Sequence, residues 1–240
     1  MHRTIGYLSK RFVQIRPGEG RKVWLTFLYF FLVITAYYII KPVSRSLVLD
    51  GLGSRLVPYV DLISAIMMGP MVAIFARLVD WLPKRRLVTL MFGASVVSLL
   101  IFWKLLAAPA IWVPAVFYVW VAIFSVLVVT LFWLVANDLY HPREAKRLFG
   151  FIGSGGILGG IVGSAIAALG ASLVGTAQLL LASAALLVAC WLVVRSLWTY
   201  TVVRTEPTPA EPAPAADRRM SVFTLLFQSR YLMLLVGLVG

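Results

Sequence analysis

Cysteine, histidine and acid are all scarce here. One cysteine, two histidines and nine acidic residues are all that 240 residues contain. Cys190 has no second thiol to pair with, so an intrachain disulfide is excluded. His2 and His141 lie far apart, and no Cys/His cluster with ligand spacing exists, so no metal site is expected. Charge of any kind is sparse, at 13% against roughly 25% in soluble domains. Apolar residues reach 61% and mean hydropathy is +0.94, more than a chain of this length can bury beneath a wettable surface. A soluble globule is therefore excluded, and with it collagen, disorder and a disulfide scaffold.

What is abundant is apolar run length. A hydrocarbon core about 30 Å thick needs about 20 apolar residues per helix. Six runs satisfy that: Val23 to about Leu49, Leu56–Val79, Leu87–Ala108, Ile111–Ala136, Leu148–Val174 and Ala177–Trp198. A seventh run starts at Tyr231 and reaches Gly240, which is too short to span. The expected organisation is a basic tail at 1–22, a six-helix transmembrane bundle at 23–200, a Pro/Ala-rich linker at 201–221 and the beginning of a second bundle at 222–240. The chain is read as the N-terminal part of a longer, two-halved protein.

The net charge of +13 sits in the connections between runs rather than on a solvated face, which argues against nucleic-acid binding. Only Lys41, Arg45, Arg55 and Lys104 fall at one end of the runs, and the other 18 of the 22 basic residues fall at the opposite end or in the flanking tails. The excess of Lys and Arg predicts a cytoplasmic N-terminus and a cytoplasmic linker. An even number of spans agrees. The first run is too long for a signal peptide. Trp24, Trp112 and Trp198 fit aromatic belts at the bilayer surfaces.

Several polar residues lie where they are costly. Tyr38, Lys41 and Arg45 share one helical face beside Pro42, which is expected to kink or end the first helix. Two cations and a tyrosine there suit an anion, phosphate above all, or else snorkel to the interface. Asp61, one turn into the second helix, needs a partner, for which Lys41 or Arg45 is expected. That pair can serve substrate or structure alone. Near the other ends of the helices, Asp80, Arg85, Asn137, Asp138, Lys146 and Arg147 are candidates for a gate, with Asp138 and Glu144 expected to pair with Arg143, Lys146 or Arg147.

Gly155, Gly159 and Gly163 recur every fourth residue and predict close helix packing. A phosphate-binding loop is excluded, because Gly153-Ser154-Gly155-Gly156 has no following Gly-Lys-Ser/Thr. Nothing resembles a catalytic triad or a carboxylate dyad, so neither an enzyme nor a resident cofactor is expected.

Three stretches carry a resemblance. Gly69-Pro70 through Arg77, Asp80 and Pro83-Lys84-Arg85-Arg86 looks like the loop motif of the major facilitator superfamily. Phe132-Trp133-Leu134-Val135-Ala136-Asn137-Asp138, followed by Arg143-Glu144-Ala145-Lys146-Arg147-Leu148-Phe149-Gly150, is similar to the fourth-to-fifth helix signature of the ATP/ADP carrier family, within that superfamily. Tyr37-Tyr38-Ile39-Ile40-Lys41-Pro42-Val43 resembles the first-helix motif of its free-living bacterial members. The resemblance implies an all-α, polytopic, major-facilitator-type fold in a bacterial inner membrane. It further implies a monomer that moves nucleotides, as ATP:ADP antiport, or a similar organic anion by alternating access. Nucleotide-exchanging members carry a basic-Asp-Thr-Lys-Asp run after the first helix, where this chain has Lys41-Pro42-Val43-Ser44-Arg45, and an acid within the fourth helix that is absent here. A transporter of another solute, or a membrane sensor or scaffold fused to a further domain, are the alternatives from the residues alone.

Overall fold

The computed structural model describes residues 19–106, 112–173 and 175–203. The chain divides into units at Met1–Val203 and Arg204–Gly240, and every described residue belongs to the first. The tail up to residue 18, the linker from 204 onward and the start of the seventh run lie outside the described residues.

Six long helices follow in order: α1 Gly20–Leu52, α2 Val57–Trp81, α3 Lys84–Leu105, α4 Val113–Leu139, α5 Pro142–Leu173 and α6 Thr176–Leu197. Short 3₁₀ turns cover Ser54–Leu56 and Trp198–Val203. All six helices are long and apolar enough to cross a membrane. Large apolar side chains such as Ile63, Ile66, Ile161 and Leu169 are exposed on the outside, which suits hydrocarbon and not water. The chain is a polytopic, multi-pass membrane protein.

The helices are longer than the apolar runs. The largest difference is in α5, which begins at Pro142 rather than near Leu148. Hydropathy marks the part of a helix that sits in lipid. The polar turn 142–147 is equally able to be helical, with Pro142 at the first position, where no N–H is needed. Pro42 does not end α1, which continues to Leu52. The Ser44 hydroxyl donates to the Lys41 carbonyl at 2.8 Å, one of the local bonds by which serine supports backbone near a proline inside a membrane helix.

The connections are specified by residue type. Call the end where α1 starts the near end. At the far end α1 turns into α2 at Gly53 (φ 77°), and α5 into α6 at Gly175 (φ 86°). Both are left-handed conformations that a side chain resists. At the near end Leu82 is extended ahead of Pro83, as a residue before proline prefers, and α3 starts directly.

α1 is the central helix, packing on α5, α6 and α4, while α3 packs on α6 and α2 on α4. Its Tyr29, Val33, Ala36, Ile39 and Ile40 are fully buried against these neighbours. The tightest contact is with α5. A Cβ added to Gly155 would lie 2.8 Å from the Phe27 carbonyl oxygen, one on Gly159 2.5 Å from that of Phe31, and one on Gly163 2.6 Å from that of Thr35. The two parallel helices therefore step together four residues at a time, 27 with 155, 31 with 159 and 35 with 163. Only glycine permits backbones this close.

Candidate functional site

Polar side chains gather at both ends of the bundle, and the α1–α5 seam joins the two groups. Extending the seam two turns towards the near end pairs residue 19 with residue 147. There Arg147 Nη2 donates to Glu19 Oε2 at 2.7 Å. Lys22 reaches Glu144 at 3.6 Å and stands 4.3 Å from the centre of the Tyr140 ring. The Tyr140 hydroxyl donates to Thr26 Oγ1 at 2.9 Å. Burial, with Glu144 and Glu19 nearby, pushes that phenol up to about 12, so it remains a donor at neutral pH. Across the bundle Lys84 Nζ holds both carboxylate oxygens of Asp138, at 2.6 and 2.7 Å.

These partners differ from the expected local ones. Asp138 and Glu144 reach across to α3 and α1 rather than to Arg143, Lys146 or Arg147. The reason is that 142–147 is helix, which turns Arg147 onto the face packed against α1. Asp80, Asn137 and Lys146 are exposed, and no hydrogen bond or ion pair holds them among the described residues. Arg85 faces α6, where its Nη2 donates to the Trp198 carbonyl at 3.2 Å.

At the far end Lys41 is exposed, with its ammonium 5.6 Å from the Tyr37 ring centre and 5.5 Å from that of Tyr38. The two rings meet edge to face at 5.3 Å. Tyr38 in turn rests on the glycine seam. Its ring carbons lie 3.6 to 3.8 Å from where a Cβ on Gly160 would stand, and its Cβ lies 2.9 Å from one on Gly163. Arg45 is exposed one turn further on. Asp61 does not pair with Lys41 or Arg45, since no ion pair joins them within 4.0 Å. It accepts a hydrogen bond from the Tyr118 hydroxyl on α4 at 2.6 Å instead. This bond ties α2 to α4 at the far end.

Tyr37, Tyr118, Lys84 and Glu19 belong to these groups and were not singled out from sequence. Glu19 carried a signal, being the only acid in residues 1–49, next to a basic tail. Tyr118 carried none, because only the α2–α4 packing brings it to Asp61. No group of three or more metal-ligating side chains exists among the described residues.

A bundle of membrane-length helices with a glycine seam between polar ends defines a multi-pass membrane protein. Residues 102–239, more than half of the chain, match the model of a family described as TLC ATP/ADP transporter. The chain belongs to that family of nucleotide transporters. No match was found among curated proteins or among solved structures.

Proposed function

We propose that the protein exchanges ATP for ADP by alternating access. In this reading it forms the N-terminal half of a monomeric, major-facilitator-type carrier in a bacterial inner membrane, with the near end cytoplasmic. Family membership supports the nucleotide. The observation that carries the site is the Lys41 ammonium, exposed beside two tyrosine rings with no carboxylate on it among the described residues. A cation inside a membrane helix costs about 2.5–3.5 kcal/mol at the centre and less towards the ends. An anionic ligand compensates that cost. Lys41 and Arg45 meet phosphate oxygens, Tyr38 lines the path, and Asp61 accepts from a ribose hydroxyl or a base amino group. The near-end pairs tie α1 to α5 and α3 to α4. They break and re-form as that end opens, with Asp80, Arg85, Asn137 and Lys146 able to take partners in another state.

Alternating access is tested by thiol labelling: Cys190, the one cysteine of these 240 residues, is buried, and any cysteine beyond them is replaced by serine. With Arg143→Cys as reporter in the complete protein, ATP or ADP is expected to change the labelling rate at least about twofold. Lys84→Gln is expected to raise the basal rate by up to about fivefold, the range of an exposed ion pair worth 0.2–1 kcal/mol, and the swap Lys84→Asp with Asp138→Lys to restore it. A rate indifferent to nucleotide would contradict the gate.

Orientation has its own test. A reporter fused after Arg204 is expected to read cytoplasmic, and one inserted at Ser172 external. The reverse pattern at both points would invert the assignment.

A further inference from the structure

The near end also carries a cationic pocket away from the ion pairs described above. It lies between α3 and α6 and encloses about 540 Å³. Two arginines line it, each set over an indole: Arg85 lies 5.6 Å from the Trp198 ring centre and Arg195 5.7 Å from that of Trp191. Trp191 Nε1 donates to Thr89 Oγ1 at 3.4 Å, and that hydroxyl donates to the Arg85 carbonyl at 3.0 Å. No carboxylate lines the pocket or pairs with either arginine among the described residues.

Thr89 and Trp191 are also the upper wall of a second cavity of about 310 Å³. This one is apolar, lined by Phe92, Gly93, Val96 and Val97 of α3 and by Leu187 and Val188 of α6. From Thr89 to Val97 it runs about 12 Å along α3, towards the middle of the membrane span. It opens sideways, with Val97 56% and Val188 42% exposed. A Cβ on Gly93 would meet nothing within 4 Å, so the groove has a bare floor there.

A cationic, hydrogen-bonding cup at the end of the span, continuous with a lateral apolar groove, has the chemistry of one ligand class. We propose that the α3–α6 groove binds an anionic phospholipid. Its phosphate is held by Arg85 and Arg195, and one acyl chain lies across Gly93. A nucleotide or free phosphate would satisfy the cup and leave the groove empty. A zwitterionic lipid would bring its own cation to two arginines. This site is separate from the Lys41 patch and shares Arg85 with the proposed near-end gate.

The test uses the complete protein in detergent micelles, with tryptophan emission quenched by phosphatidylglycerol or phosphatidylcholine carrying brominated acyl chains. Half-quenching by phosphatidylglycerol is expected at a mole fraction at least fivefold lower than by phosphatidylcholine. Arg85→Gln with Arg195→Gln is expected to remove that preference. Gly93→Leu is expected to weaken quenching by both lipids at least threefold, since its side chain enters the groove from a position where a Cβ meets nothing within 4 Å. Val97→Trp narrows the same groove and replaces Gly93→Leu if that variant is not folded. Equal half-quenching by the two lipids in the unaltered protein would overturn the proposal. So would quenching that neither groove variant changes, or a phosphatidylglycerol preference that millimolar inorganic phosphate abolishes, which would leave a phosphate pocket alone.

Discussion

Gly159→Leu is expected to prevent assembly of the bundle. The first carbon of the new side chain would lie 2.5 Å from the Phe31 carbonyl oxygen and 3.2 Å from Thr35 Oγ1. The nearest obstacle is backbone, so no rotamer change relieves it, and α1 and α5 must separate. That separation would also loosen Gly155 and Gly163 on either side and the Glu19–Arg147 pair in the same register. Overpacking typically costs about 1–3 kcal/mol. A contact between backbones on the central helix lies at the top of that range or above it, against a total stability of about 5–15 kcal/mol. The control is Gly153→Ala on the same helix, where an added Cβ meets nothing within 4 Å. That change is expected to be neutral or to stabilise by up to about 1 kcal/mol through helix propensity. Folded yield and melting temperature in detergent, measured for both variants, check the pair. Equal behaviour of the two would mean that the seam does not hold the helices together.

Lys41→Gln is expected to weaken binding of ATP and ADP roughly 10- to 150-fold in the complete protein, with little change in yield. The value is that of a hydrogen bond to a charged group, about 1.5–3 kcal/mol. Yield is spared because Lys41 is exposed and touches only the faces of Tyr37 and Tyr38. Arg45→Gln is expected to act similarly if both cations meet phosphate. Asp61→Asn separates the roles. Its partner is the Tyr118 hydroxyl, so loss of the carboxylate charge leaves an acceptor in place and spares folding. Equilibrium binding of labelled nucleotide checks all three. Unchanged affinity for both cation variants would reduce Lys41 and Arg45 to interfacial charges.

How far the sequence carries the account depends on how local each feature is. The spans were legible because hydrocarbon thickness fixes the length of an apolar run. The glycine spacing at 155, 159 and 163 was legible because small residues every four positions describe one helix face. Which helix that face meets was not, since the partner is a run of backbone carbonyls at Phe27, Phe31 and Thr35 with no side-chain signature. Charge partners were the least legible. Asp138 has Arg143, Lys146 and Arg147 close by in sequence, yet it binds Lys84, 54 residues earlier. The chain does turn back at residues 140–141, but 142–147 is helix packed on α1, which turns Glu144 and Arg147 toward Lys22 and Glu19 and away from Asp138. Pro42 was expected to kink or end the first helix, and it does not end it. Proline is tolerated inside a membrane helix where neighbouring groups and Ser/Thr side chains satisfy the freed backbone.

The most direct test of the account is exchange by the complete protein in proteoliposomes. Vesicles preloaded with ADP are given external labelled ATP, and internal label is followed against vesicles loaded with buffer alone. The account predicts rapid uptake that requires internal ADP or ATP, falls sharply with Lys41→Gln and is lost with Gly159→Leu. Uptake of labelled ATP at the same rate into empty and ADP-loaded vesicles, or no uptake at all by well-folded protein, would contradict ATP:ADP exchange.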